Sequence, residues 1–428
     1  MQTPLSPEFD GTPDGEEGQA IIRKCVHCGF CNATCPTYQL LGDELDGPRG
    51  RIYLIKQVLE GAEVTRSTQQ HLDRCLTCLN CQSTCPSGVE YGHLVDIGRK
   101  IVDARVQRPA SERTVRWLLR EGLTSPVFAP ALRVGQTVRP LLPAVLRNKV
   151  PVRGCEGSRA APALVKAVPT RSHARKVLML RGCVQPAMRP NIDAAAARVL
   201  DRVDIQTVYA GATGCCGAVR THLGDPQGGL EDMRRNIDAW MPIISAGDID
   251  AIVTSASACS LAIKEYGHAL SGDVEYAEQA ARISALARDL SELLPRIAPA
   301  LQGRMRPDSP KRLAFHPPCT LQHGQRLSGG IESHLRALGF GVDIAGESHL
   351  CCGSAGTYSI LQPDLARQLR DRKLEFLAKL EPQYIVSANM GCIQHLQSGT
   401  ATRVMHWIEV LDEALLPDSH KPAATRAT

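Results

Sequence analysis

Aromatic residues are scarce in this 428-residue chain, at 4%. That scarcity argues against stacking platforms for single-stranded nucleic acid, which need rings along a basic groove. A strong charge of one sign is also missing. The formal net charge of +5 is too mild to demand a nucleic-acid partner. No apolar run approaches the ~20 residues of a membrane-spanning helix, so none is expected. Residues 1–20 are polar and acidic without an apolar stretch, which predicts a cytoplasmic protein with no secretory signal. Neither G-x-G-x-x-G after a strand nor G-x-x-x-x-G-K-[ST] occurs, so no flavin, NAD or nucleotide is signalled on this chain. Two-electron chemistry on an organic substrate belongs to such cofactors. No catalytic residue is therefore assigned, and this chain is not expected to oxidise a substrate alone.

Cysteine, by contrast, is abundant: there are 17. They are clustered, and in a reducing compartment clustered cysteines read as metal ligands. Cys25, Cys28, Cys31 and Cys35 precede Pro36, and Cys75, Cys78, Cys81 and Cys85 precede Pro86. Both runs read C-x2-C-x2-C-x3-C-P, the spacing that wraps [4Fe–4S] clusters in bacterial-type ferredoxins. Two complete copies, each closed by proline, outweigh a zinc or disulfide reading. In two-cluster ferredoxins the fourth cysteine of each run serves the other cluster. One cluster is thus expected on Cys25, Cys28, Cys31 and Cys85, the other on Cys75, Cys78, Cys81 and Cys35. Pro36 and Pro86 would turn the chain away and remove a backbone donor. His27, inside the first run, is expected only to shape the loop.

Composition divides the chain. Residues 1–18 carry three prolines and five acidic residues and are expected to be a flexible acidic tail. Residues 19–98 hold both cysteine runs. Ile52, Ile55, Val58 and Leu59 between them recur at helical spacing, with Gly61 as a stop. Residues 99–175 are expected to form a basic helical and proline-rich linker, with a helix near Val115–Leu119. From 99 to 176 there are 17 Lys plus Arg against 4 Asp plus Glu. This stretch is either a solvated linker or a docking surface for acidic lipid headgroups or an acidic partner. Cys155 within it is expected to be an unliganded thiol.

Past 176 the texture becomes α/β. Short apolar runs at Lys176–Leu180, Gln206–Tyr209 and Ala251–Thr254 read as strands. They recur as Arg312–Phe315, Gly341–Ile344 and Tyr384–Ser387. Cys183, the pair Cys215-Cys216 with Gly217, and Cys259 follow the first three. Cys319, the pair Cys351-Cys352 with Gly353, and Cys392 follow the second three, offset by 136, 136 and 133 residues. Such a period marks an internal duplication, residues 176–300 and 311–415, before a flexible tail at 416–428. If the strands are parallel, the cysteines gather at their carboxyl ends, where open α/β sheets place their sites. Gly217 and Gly353 are expected at positive φ with backbone passing close to a centre. His316 and His323 flank Cys319 and His349 precedes Cys351. A histidine there could ligate or tune a centre, but hydrogen-bonding structural roles are expected. Trp240 and Trp407 are expected in the core.

The duplicated cysteine pattern resembles the CCG domain of heterodisulfide reductase and of several flavoprotein dehydrogenase partners. Two ferredoxin runs followed by two such units resemble the iron–sulfur subunits of glycolate oxidase (glycolate dehydrogenase). Gly47-Pro48-Arg49-Gly50-Arg51 and Arg181-Gly182-Cys183-Val184-Gln185 carry that resemblance. It implies a multidomain fold: an N-terminal α-helical ferredoxin-like domain followed by two repeated α/β CCG (cysteine-rich) domains. It also implies an oxidoreductase subunit that relays electrons from FAD-linked flavoprotein subunits to an acceptor such as quinone. Peripheral contact with the inner face of the plasma membrane is compatible with it. A lactate or anaerobic glycerol-3-phosphate dehydrogenase subunit is the alternative, and a metal-bearing scaffold a further one. The closing CxxC is incomplete, with Ala256 and Asn389 where a fifth cysteine would stand. Cys183, Cys215, Cys216 and Cys259, and Cys319, Cys351, Cys352 and Cys392, remain candidates for a further iron–sulfur cluster, for zinc, or for no metal.

Overall fold

The computed structural model describes residues 1–141, 169, 171–309 and 312–417. The chain opens with helix α1 (Pro13–Lys24). Thr12 caps it by accepting from the Gly15 N–H, and Pro13 takes the first turn. Asp14 and Glu16 sit at the positive end of its dipole, Arg23 and Lys24 at the negative end. Helix α2 (Pro48–Leu59) buries Ile52, Ile55, Val58 and Leu59, as their spacing predicts, and Gly61 follows at φ 91°. Helices α3 (Arg66–Asp73) and α4 (Tyr91–Arg105) complete a layer whose core joins Ile22, Ile55, Leu59, Leu72 and Leu94. Two glycines let the helices approach. A Cβ on Gly18 would lie 2.8 Å from Leu59 Cδ1, and one on Gly98 would lie 2.6 Å from Ile55 Cγ1.

Three expectations are corrected. Residues 1–18 are packed, not a loose tail. The Ser6 N–H donates to Leu59 O at 2.9 Å, Phe9 is buried, and the terminal amine donates to Cys25 O at 2.6 Å. Their acidic side chains face basic ones: Asp14 pairs with Lys100 and Glu8 with Arg105, each at 2.6 Å. The boundary at residue 98 falls inside α4, and the described part of the basic stretch is helical. Helices α5 (Ala110–Thr124), which contains the expected Val115–Leu119 turn, and α6 (Phe128–Val138) occupy it. Arg108 and Arg116 are tied to Asp73 at 2.9 and 3.1 Å rather than left to solvent. Cys155 and residues 418–428 lie outside the described residues; of the tail, Leu416 donates its N–H to Arg304 O at 2.9 Å.

Each repeat is a four-stranded parallel sheet. Strands β1 (Arg175–Met179), β2 (Ile205–Val208), β3 (Ala251–Thr254) and β4 (Ala287–Asp289) lie in the order β2-β1-β3-β4. Strands β5 (Leu313–His316), β6 (Val342–Ile344), β7 (Tyr384–Ser387) and β8 (Val404–His406) lie in the order β6-β5-β7-β8. Parallel pairing requires crossovers. The crossovers carry helices α7 (Asn191–Asp201), α8 (Pro226–Ser245), α9 (Ser257–Lys264), α11 (Gly330–Ala337), α12 (Pro363–Ala378) and α13 (Met390–Gln397), while α10 (Leu294–Leu301) and α14 (Trp407–Ala414) follow the last strand of each sheet.

The third correction concerns where the repeats divide. Residues 300 and 311 do not separate two cores. Leu294, Ile297 and Leu301 of α10 join one cluster with Leu335 and Phe340 of the second repeat. Helix α14 lies on α7 of the first, where Arg198 pairs with Asp412 at 2.8 Å and Asn191 Nδ2 donates to Glu409 at 2.9 Å. Each repeat thus leaves a hydrophobic face that only the other covers. Trp240 and Trp407 are fully buried, as expected.

Gly98→Ala is expected to destabilise the helical layer by about 1–3 kcal/mol, the usual result of overpacking a full core. The midpoint of anaerobic thermal unfolding should fall, and Ile55→Val should recover part of the loss. An unchanged midpoint would contradict this packing.

Candidate metal centres

Both C-x2-C-x2-C loops fold alike. His27 and Gly29 in the first run, and Thr77 and Leu79 fifty residues on, all have positive φ, between 51° and 85°. A non-glycine residue pays for that conformation, so its recurrence at matched positions marks an imposed loop shape. Short helical turns, Phe30–Ala33 and Asn80–Thr84, start directly after Gly29 and Leu79 and carry the third cysteine of each run. His27 thus shapes the loop, and its ring also contacts Met1 Sδ at 3.1 Å.

The two loops build two cavities. The larger is lined by Cys25, Cys28, Cys31 and Cys85 together with Cys81, Arg49 and Tyr91. The smaller is lined by Cys35, Cys75, Cys78 and Cys81 with Thr37, Arg51 and Tyr91. The fourth cysteine of each run therefore faces the first three of the other. Cys81 and Tyr91 form the wall between them. The first cavity reaches the surface: Cys28 is exposed, and Val26 and Phe30 beside it are 69% and 64% exposed.

Electrostatics fit a bound anionic cluster. Arg51 is 1% exposed. Its Nε donates to His71 O at 2.8 Å, its Nη atoms to Thr37 Oγ1 at 3.2 Å, and Nη2 reaches Asp46 at 3.4 Å. Burial opposes its charge, but Cys75, Tyr91, Cys35 and Asp46 outweigh that and hold its pKa above the ordinary range. Burial likewise opposes a Cys75 thiolate, yet Arg51 and Arg99, the Thr77 N–H and the Tyr91 hydroxyl bring its pKa below the usual value. Burial and neighbouring thiols push Cys78 and Cys81 far up, and Cys31 to about 11. Thiols this close and this dry become thiolates only around a positive centre, which is what an iron–sulfur cluster supplies.

In the repeats, the cysteines meet at the carboxyl ends of the parallel strands, as expected. Thiol contacts run Cys183–Cys215–Cys216–Cys259 in the first and Cys319–Cys351–Cys352–Cys392 in the second. Gly217 and Gly353 have φ 91° and 86°. The next helix packs directly against both. A Cβ there would lie 2.8 Å from Gly229 O and 2.5 Å from Ala366 O.

The second repeat is docked on the smaller cavity. Cys319 and Cys351 adjoin Cys78, and Leu76 shares their apolar cluster. Asn80 Nδ2 donates to His349 O at 3.1 Å, Ser83 Oγ meets His323 Nδ1 at 2.8 Å, and Tyr358 OH donates to Arg74 O at 3.1 Å. His323 thus has the hydrogen-bonding role expected of it. His316 does not: it is 1% exposed and neither ring nitrogen has a hydrogen-bond partner. The first repeat docks elsewhere, with His93 of α4 stacked 3.9 Å from His268 and bonded to Glu265 at 3.1 Å. The charges around the cysteines escaped sequence reasoning. Arg51 stood in a motif quoted for resemblance alone, and nothing singles out Arg99 or the buried Lys373, whose ammonium donates to Glu347 O.

Comparison with known proteins agrees with this layout. A 4Fe-4S dicluster domain matches residues 21–89, and a cysteine-rich domain matches 177–264 and 313–397. The glycolate oxidase iron-sulfur subunit of Escherichia coli (strain K12) is 54% identical over 97% of this chain and 99% of that protein. The probable glycolate oxidase iron-sulfur subunit of Bacillus subtilis (strain 168) is 28% identical over 93% of this chain and 95% of that protein. Lactate utilization protein A of Geobacillus thermodenitrificans (strain NG80-2) is 28% identical over 55% of this chain and 98% of that protein.

Arg51→Leu removes a buried charge that faces both Cys35 and Cys75. It is expected to lower the reduction potential of the centre in the smaller cavity by roughly tens of millivolts, with Arg51→Lys closer to the parent. Potentiometric titration followed by electron paramagnetic resonance reads this out. Equal shifts at both centres, or none, would contradict the assignment.

Proposed function

The chain belongs to the family of glycolate oxidase iron–sulfur subunits, and on that premise we propose that it is the electron-transfer subunit of a glycolate dehydrogenase. FAD-linked flavoprotein subunits take the electrons from glycolate, giving glyoxylate, and this chain passes them on to an acceptor, for which quinone is the assigned class. Cys25, Cys28, Cys31 and Cys85 hold one [4Fe–4S] cluster, and Cys75, Cys78, Cys81 and Cys35 hold the other. Bound there, the clusters supply one-electron transfer. The protein's own residues do the rest. Cys81 and Tyr91 keep the two sites against one shared wall. Arg51 and Arg99 offset thiolate charge without admitting water.

The observation that carries this reading is the pair of cysteine cavities, each walled by both runs, the larger reaching the surface at Cys28. The apolar rim of Val26 and Phe30 at that opening is the contact we assign to the flavoprotein. Among the described residues no helix is long and apolar enough to cross a membrane. Contact with a membrane acceptor is therefore peripheral in this reading. The cysteines of the repeats are reserved for a further centre, a cluster or zinc. The lactate utilization relatives give a second reading, a lactate dehydrogenase subunit with the same relay.

The test mixes the purified, iron-loaded chain with its flavoprotein partner under anaerobic conditions and follows cluster reduction. Glycolate should reduce the clusters only when the partner is present. A Phe30→Glu variant should slow that reduction about tenfold or more, as loss of a central contact does, with iron content unchanged. Glycolate oxidation by the chain alone would overturn the division of labour. Reduction by lactate and not glycolate would select the second reading.

A further inference from the structure

His316 ends strand β5, three residues before Cys319, and its ring lies among cysteines. One nitrogen of His316 and the sulfurs of Cys352 and Cys392 all lie within 4.8 Å of one another, and all three residues are buried. Bonds of about 2.1 Å to nitrogen and 2.3 Å to sulfur place the ligand atoms of a tetrahedral zinc ion roughly 3.6–3.8 Å apart. The trio, already within 4.8 Å of one another, has to draw in by at most about 1 Å to hold a single ion. Among the described residues, no such group draws on the ferredoxin cysteines or on those of the first repeat. The ferredoxin cysteines instead line wide cavities.

Two orphaned nitrogens on a ring 1% exposed are costly, since a buried polar group without a partner loses its hydration for nothing. In the first repeat the matching position is Leu180, which needs no partner. We propose that the second repeat holds one zinc-class divalent ion on His316, Cys352 and Cys392, with Cys319 or Cys351 in the fourth position, and that the first repeat has no counterpart of this site.

The surroundings suit that charge. Asn389 Nδ2 donates to Cys392 Sγ at 3.7 Å, so the residue in place of the fifth cysteine supports a thiolate instead of supplying one. Lys373, 3% exposed, brings an ammonium beside Cys319, Cys351 and Cys352. One divalent ion, three thiolates, a neutral imidazole and one ammonium sum to zero, which a dry site tolerates far better than an unpaired charge. At the Lys373 position the first repeat has neutral Asn236, which bonds the Cys215 carbonyl at 2.7 Å. Zinc has no redox chemistry. The ion would brace the segment that presses Cys319 and Cys351 against Cys78, and take no electron.

Metal analysis of the full chain purified anaerobically tests this. The parent should hold about one zinc beside its iron. His316→Leu, which copies the first repeat, should lose roughly tenfold or more of the zinc affinity while iron and cluster spectra persist. His316→Cys should restore binding, and in the cobalt-loaded protein it should shift the visible ligand-field bands. Those bands decide the matter if His316→Leu does not fold. No zinc in the parent, or identical cobalt spectra for parent and His316→Cys, would each overturn the site. Zinc content is read independently of cluster reduction by the flavoprotein, so this site and the relay fail separately.

Discussion

Buried thiolates close to one another demand positive charge, and the arrangement of this protein follows from meeting that demand. Eight cysteines are gathered from two runs into two cavities. The loops that gather them hold three non-glycine residues, His27, Thr77 and Leu79, at positive φ, a cost that binding a metal centre would repay. Around the smaller cavity the demand reaches further. Arg51 is wholly buried to face Cys35 and Cys75. Its own desolvation is offset by Asp46, which also takes Arg74 at 2.8 Å and His71 at 3.1 Å. A buried pair of this kind is weak evidence for stability by itself. Its position between two cysteines gives it a reason to exist.

The duplication behind the clusters is symmetric in fold and asymmetric in chemistry. Both repeats place cysteines at the ends of the same strands, and both use a positive-φ glycine to let a helix carbonyl approach. Both fourth strands run into a capping box, Asp289 with Glu292 and His406 with Glu409. In the second, the one that touches the ferredoxin layer at Cys78, the Lys373 ammonium and the His316 ring lie among the cysteines. In the first, Asp232 and His222 lie near Cys215 instead. The exchange of α10 and α14 across the repeats binds the two sheets into one body, so the chemistry of one is held in place by the other.

Much of this was legible in the sequence. The cysteine runs, the α2 helix, six of the eight strands and the duplication are local patterns, and local patterns survive folding. What was not legible depends on distant partners. Phe9 and the acidic residues of the first segment look solvated until α4 supplies Arg105 and Lys100. Strands β4 and β8 are three residues each, no shorter than β6, but no cysteine follows them to mark where a strand ends. The orphaned ring of His316 is a fact of tertiary placement: its H-x2-C spacing to Cys319 allowed a ligand role but did not choose it over a structural one.

The central claim is that each cluster takes its fourth ligand from the other cysteine run. Iron counting on paired Cys→Ser variants tests it most directly. If the runs interleave, Cys25→Ser with Cys85→Ser strips one site and leaves about four irons per chain, whereas Cys25→Ser with Cys35→Ser damages both sites and leaves few. The reverse pattern, four irons kept in the Cys25/Cys35 pair and few in the Cys25/Cys85 pair, would contradict the account.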